Sequence, residues 1–401
     1  MKPKLFRKVL KNGMTVIHEK RNSSVVSVAY AARYGGINEQ IPEKGIAHFI
    51  EHMLYKGNKK MGTKEISEAF ERRGGIMNGF TDEQMTAFWV KAPMKHFLEI
   101  FKVLTEMVKN PEFDEKEMDK ERKVIFEEIK MRNDNPRLFA MEKIKTQLYD
   151  GHFAFDVIGT FESLSSVDRK KIVEKFKRIY QPQNMICGIV GNVNIEEVCN
   201  FLEKNFKKGE GKVEEIPVKT KNGSKIANRK GIDQANFVLA FHTPKANEKE
   251  SHAAEILACL MGGGLSSRLF QEIREKRNLA YSISSDCVAE KDFGYTFVYA
   301  GTTKEKMEDA KKLILEEFDK VAKDLDKKEF ESVKEQVIGN FQVSQEDSQD
   351  ALNTLLYEEI AGNAENILKF EENIRKVKLK DVKKLAGKVK DNYSFFALVP
   401  E

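Results

Sequence analysis

Residues 24–36 read SVVSVAYAARYGG, and shortly after them residues 45–54 read GIAHFIEHML. The first stretch is a short apolar run rich in β-branched and small residues, closed by paired glycines, and predicts a strand ending in a turn. The second spaces its apolar residues at helical intervals and predicts a helix. The same order returns at ANFVLAFHTP (235–244) and HAAEILACLM (252–261). Two further segments repeat at an offset of 208: KERKVIFEEI (120–129) with KEFESVKEQV (328–337), and NMICGIVGNV (184–193) with NYSFFALVPE (392–401). Four segments recurring in order at a nearly constant offset indicate two homologous halves of about 200 residues each.

Both halves mix strands with long amphipathic helices, at 95–109, 114–133 and 304–323 among others, so each is expected to build α/β layers. The polar stretch GEGKVEEIPVKTKNGSKIANRK lacks sustained periodicity and predicts a linker at 209–230, between a domain over 1–208 and one over 231–401.

Composition narrows the function. Of 401 residues, 41% are hydrophobic, enough for a real core. The 68 basic and 63 acidic side chains are interspersed, leaving a net charge of +5, which is a solvated surface rather than a nucleic-acid footprint. No apolar run approaches the roughly 20 residues that span a bilayer. The first twenty residues lack the apolar core of a secretory signal, which predicts a cytoplasmic protein without membrane partners. Cys187, Cys199, Cys259 and Cys287 lie far apart, with no C-x-x-C pair, and read as small hydrophobes in a reducing compartment. The run Gly262–Gly264 ends a helix; no phosphate-binding spacing follows it. His18, His96, His152, His242 and His252 stand in no chemical pattern and read as structural or surface residues.

The chemistry concentrates in HFIEH (48–52). Four-residue spacing puts the His48 and His52 imidazoles on one helical face, close enough to share a metal. Glu51 lies at the edge of that face, where it can reach a metal-held water without being a ligand. This is the H-x-x-E-H order of the inverzincins. A catalytic zinc takes three protein ligands and keeps a fourth position open, so a third ligand is needed downstream. EKEMDKERKVIFEEIKMR (115–132) offers Glu121, Glu127 and Glu128, and periodicity alone does not choose among them.

The chain resembles the pitrilysin or M16 family of zinc metallopeptidases, and in its two-halved length the M16B branch that includes the mitochondrial processing peptidase subunits. The resemblance runs through LKNGMTVI, GIAHFIEHMLYKG, GGIMNGFTDEQMT, ERKVIFEEI and MGGGLSSRLFQEIREKRNLAYS, and covers almost the whole chain. It implies a fold of two α/β rolls, each a mixed sheet with helices packed on one face, together forming half a clamshell. It implies one Zn2+ per chain, held by His48, His52 and Glu128, with Glu51 as the general base that takes the proton of the attacking water. It assigns Glu121 a supporting catalytic role behind a ligand histidine. Arg274 and Tyr281 match a pair that binds substrate and stabilises the oxyanion, and Asn78 matches a substrate-binding asparagine on an edge strand. Gly79 stands where alanine is usual and Gln84 where an acid is frequent.

Carried across the internal offset, the ligand positions fall at Glu255, Cys259 and Gln336, so the second half has no matching ligand set. The resemblance implies a zinc endopeptidase or oligopeptidase that cuts short or unfolded peptides in an enclosed chamber. The partners expected are peptide substrates and a second copy of the chain, in a homodimer with shared active sites. The alternatives are a catalytic subunit of a hetero-oligomeric processing peptidase and a non-catalytic scaffold of the same fold. The intact ligand set and the presence of the Arg/Tyr pair on the same chain argue against both.

Overall fold

The structure is a computed structural model and describes residues 4–401. The chain folds into two compact units. In the first, β1 (Lys4–Val9), β2 (Thr15–Lys20), β3 (Val25–Ala32), β4 (Ile76–Thr81), β5 (Thr86–Pro93) and β6 (Met185–Gly191) form a sheet in the order β1-β2-β6-β3-β5-β4. β6 runs parallel to β2, and the remaining pairs are antiparallel. In the second unit, β7 (Ser224–Arg229), β8 (Ala235–His242), β9 (Ser282–Ala289), β10 (Gly294–Thr302) and β11 (Tyr393–Pro400) take the order β7-β11-β8-β10-β9. Its one parallel pair is β7 with β11. Strand for strand this repeats β2-β6-β3-β5-β4, so the duplication read from the sequence is a duplication of topology. The mixed α/β fold is as expected.

Every residue of β3 after Val25 is buried, which requires cover on both faces of the sheet. On one face Val26, Val28 and Tyr30 pack into a core with α1 (Ile46–Leu54), α2 (Thr63–Glu71), α3 (Phe97–Lys109) and α4 (Glu115–Asp134). The other face is covered too. There α5 (Ser348–Ala361), from the second half of the sequence, lies against β3 and β6. Ser27 and Ser348 share a hydrogen bond of 2.8 Å, and a Cβ at Gly188 would meet a Leu352 methyl at 2.7 Å. Glu359 of α5, its side chain 1% exposed, takes ion pairs from Arg7 at 2.7 Å and Arg33 at 2.9 Å.

The units therefore do not coincide with continuous halves. The first comprises the chain to Ile129, Phe155–Pro217 and Ser344–Leu368; the second comprises Lys130–Ala154, Val218–Val343 and Lys369–Glu401. A helix from the first half, Pro136–Lys143, lies on β8 and β11 of the second unit, where Phe139 meets Phe396 at 6.0 Å between ring centroids. Residues 224–229, expected in the linker, are instead β7. This edge strand leaves most of its side chains in solvent, so it reads as polar and aperiodic in the sequence. The cysteines are free and at least partly buried, as expected.

Candidate metal centre

α1 begins abruptly. Gly45 precedes it at φ +89°, and a Cβ there would meet the Ile158 carbonyl at 2.5 Å, so only glycine fits. The first-turn amides are capped from outside the helix: Glu39 accepts from Gly45 N at 3.0 Å and from Ala47 N at 2.7 Å. Burial pushes the Glu39 carboxyl up to about 7, opposed by the Lys44 charge and by these two amides. Ile46, Phe49, Ile50, Met53 and Leu54 bury the apolar side of α1. That burial fixes the rotation of the helix and points His48 and His52 toward α4.

α4 buries Met118, Ile125 and Ile129, and with them Glu121. Glu128 is two turns beyond Glu121 on the same side, whereas Glu127 is exposed. Glu128 Oε2 lies 3.7 Å from His48 Nε2 and 3.8 Å from His52 Nε2. All three ligand atoms fall within 4.8 Å of one another, the one such cluster among the described residues. Tetrahedral zinc with bonds near 2.1 Å wants its ligands about 3.4 Å apart, so two imidazoles and a carboxylate fit that ion once their side chains draw together. The three side chains are half-buried, which leaves room for a fourth position.

Glu121 accepts from His52 Nδ1 at 3.1 Å, and Lys56 Nζ pairs with its other oxygen at 2.6 Å. The proton is thereby held on Nδ1, and Nε2 presents its lone pair to a metal. Glu51 is 8% exposed, and its Oε2 accepts from Thr81 Oγ1 at 2.6 Å. Burial raises its carboxyl to about 7; the Thr81 hydrogen bond opposes this and the Glu128 charge adds to it. That position belongs to the metal-free site; a dication bound by the neighbouring ligands would draw the carboxyl back down.

The first unit thus brings together His48, Glu51, His52, Glu121 and Glu128. Asn78 lies on β4, a strand at the edge of its sheet; its side chain is exposed and accepts from Gly79 N at 2.8 Å. Strand alternation puts Gly79 and Thr81, not Asn78, on the side facing Glu51. In the second unit, Arg274 sits in a π-helical turn over Phe270–Glu275, its guanidinium 4.7 Å from the Phe270 ring centroid. Tyr281 directly precedes β9 and is 53% exposed. Gln336, where a third ligand would repeat, donates to the Gly263 carbonyl at 2.9 Å.

Thr81, Lys56 and Glu39 were missed from the sequence. Thr81 alone carried a signal: it stands two residues beyond Gly79 in a predicted strand beside the histidine helix.

Two family profiles match the chain. Residues 14–159 match the profile of Insulinase (Peptidase family M16), and residues 166–337 that of the Peptidase M16 inactive domain. The chain is 31% identical to an uncharacterized zinc protease of Rickettsia felis, over 84% of this chain and 83% of the relative. It is likewise 31% identical to the uncharacterized zinc protease YmxG of Bacillus subtilis, over 85% and 84%. Among solved structures, a protease from Helicobacter pylori superposes with a TM-score of 0.92 at 23% identity, covering 99% of this chain and 100% of that one. A peptidase M16 inactive domain from Pseudomonas fluorescens gives 0.90 at 17%, over 99% and 98%. At these identities the structural likenesses speak for the fold.

Proposed function

This chain belongs to peptidase family M16, and on that premise we propose that it is a zinc-dependent peptidase hydrolysing short or unfolded peptides in the cytoplasm. The observation that carries the proposal is the placement of Glu51, buried and held by Thr81, on the same helix as two histidines that converge on Glu128. Zinc bound there would supply Lewis acidity, lowering the pKa of water toward neutrality. Glu51 accepts the proton of the attacking water and returns it to the leaving amine, so the carboxylate is regenerated as the peptide bond breaks. Thr81 keeps the carboxylate in place. β4 offers its outer edge to an extended peptide backbone.

Arg274 and Tyr281 are proposed to donate to the developing oxyanion in a homodimer whose two sites are each shared between copies. The motivation is that the zinc set and this pair belong to different units of the chain. In the second unit the positions of the ligand set hold Glu255, Cys259 and Gln336, which supports one zinc per chain. No helix among the described residues is long and apolar enough to cross a membrane.

The test is cleavage of a mixed peptide library by the purified protein, with and without chelator, alongside metal analysis. Cleavage abolished by chelator and restored by one zinc per chain is expected. Cleavage indifferent to chelator, or none in the zinc-loaded protein, overturns the proposal.

A further inference from the structure

Tyr55 follows Glu51 by four residues and directly follows α1, so the two side chains rise on the same face of one helix. The ring packs toward Phe88, 5.8 Å between centroids. Its hydroxyl is buried and has no hydrogen-bond partner. Leaving a buried hydroxyl unpaired costs free energy, so an unpaired one beside a reactive carboxyl calls for a reason.

Gly79 on β4 supplies it. The backbone at Gly79 is outside the left-handed region, so nothing in its conformation demands glycine. Space does. A Cβ at this position would stand 2.3 Å from the Tyr55 hydroxyl and 3.1 Å from Glu51 Oε1. The phenol oxygen thus occupies the place that any side chain at position 79 would need, and both it and Glu51 Oε1 border that one spot. On the other side of the carboxyl, Thr81 holds Oε2 at 2.6 Å.

We propose that Tyr55 is a positioning residue for Glu51, admitted by the missing side chain of Gly79. The proposal rests on the peptidase reading above. Glu51 must serve as a carboxylate before the water attacks and as a carboxylic acid afterwards. A hydroxyl is both donor and acceptor, so Tyr55 can bond Oε1 in either state: donating to the carboxylate and accepting from the acid. With Thr81 on Oε2 and the Tyr55 hydroxyl, unbonded in this structure, turning onto Oε1 as the site engages water, the carboxyl is confined to one orientation through turnover. The proposed role of Tyr55 is exerted through Glu51 and not on the substrate.

Four proteins decide the matter: wild type, Y55F, G79A and the double variant. Each is measured for zinc content, for urea unfolding in the metal-free state, and for kcat and KM on a peptide that wild type cleaves. Y55F is expected to keep its zinc, to be no less stable than wild type, and to lose about tenfold in kcat with KM nearly unchanged. A Cβ at position 79 would also stand 3.0 Å from the Ala87 carbonyl, so G79A is expected to lower the unfolding midpoint in both backgrounds, but clearly more in the presence of Tyr55 than in the Y55F background. The double variant then turns over like Y55F. Wild-type kcat in Y55F overturns the positioning role, and a destabilisation by G79A no greater with Tyr55 than with Phe at position 55 overturns the pairing of Tyr55 with Gly79. A zinc-loaded wild type that cleaves nothing sinks the peptidase reading and the positioning role with it, while the unfolding measurements still decide the pairing.

Discussion

His52 Nδ1 lies 3.1 Å from Glu121 Oε2, and this one contact decides which ring nitrogen of His52 faces Glu128. With the proton held on Nδ1, Nε2 is a ligand. Glu121→Gln is expected to weaken zinc binding by about 10- to 100-fold, because the amide neither holds that tautomer as firmly nor supplies negative charge. Glu128→Gln removes a ligand and should cost at least as much, whereas Glu127→Gln, on an exposed side chain, should leave zinc content unchanged. Competitive titration against a chelator checks all three, and equal affinity in wild type and Glu121→Gln would refute the role given to Glu121.

Glu51→Gln is expected to retain one zinc and lose turnover by about 10²-fold or more, since an amide cannot accept the proton of water. Thr81→Val, which removes the 2.6 Å hydrogen bond to Oε2, should retain zinc and lose about tenfold in kcat. Steady-state kinetics together with metal analysis distinguish these from a loss of the metal. Near-normal cleavage by Glu51→Gln would mean another group is the base.

Glu359 joins α5 to the first sheet through Arg7 and Arg33, and Ala364 N donates to it as well. Glu359→Ala should therefore destabilise the protein by about 3 kcal/mol, the scale for removing one partner of a buried ion pair. Burial opposes ionisation of Glu359, but Arg7, Ala364 N and Arg33 outweigh it and hold the carboxyl below its ordinary range. Its stabilisation is present above the unfolded-state pKa and is lost as pH falls through the lower folded value. Chemical denaturation in acid should show the deficit of Glu359→Ala shrinking as pH falls below the ordinary carboxylate range.

Glu39 and Glu51 carry the opposite sign. Each is raised by burial from an ordinary 4.5 to about 7. Between those values the folded state binds more protons than the unfolded one, so stability falls as pH rises through that window and levels off above it. In the metal-free protein, Glu39→Gln and Glu51→Gln should each flatten this slope, by up to about 1.4 kcal/mol per pH unit for one proton. Unfolding midpoints measured from pH 5 to 8 test it; slopes identical to wild type in both variants would contradict it.

The shared-site homodimer predicts complementation. His48→Ala and Tyr281→Phe proteins should each be nearly inactive alone. In a heterodimer isolated by two different tags, one site combines an intact zinc set with an intact Arg274/Tyr281 pair. Activity should then approach half that of wild type, within about twofold. Verified heterodimers without rescue would mean that each chain completes its own site.

The sequence by itself determined whatever depends on spacing within one element or on repetition. The four-residue interval of His48 and His52 is a property of any helix, and Glu121 and Glu128, seven apart, share a helical face wherever that helix packs. The offset of 208 announced the repeated topology because related segments keep their order. Choosing Glu128 over Glu127 by pattern alone was out of reach, since both are charged residues in a Glu/Lys-rich helix. Only the burial of Met118, Ile125 and Ile129 sets the rotation of α4 that separates them. Tertiary structure alone decided that Glu39 caps α1, that Thr81 holds Glu51, and that α5 covers the first sheet. A capping carboxylate from a preceding loop, a hydroxyl thirty residues away and a helix more than three hundred residues from its partner strand leave no local periodicity. The helix meets its strand because β3, buried on both faces, had to be covered by whichever apolar surface the rest of the chain could bring to it.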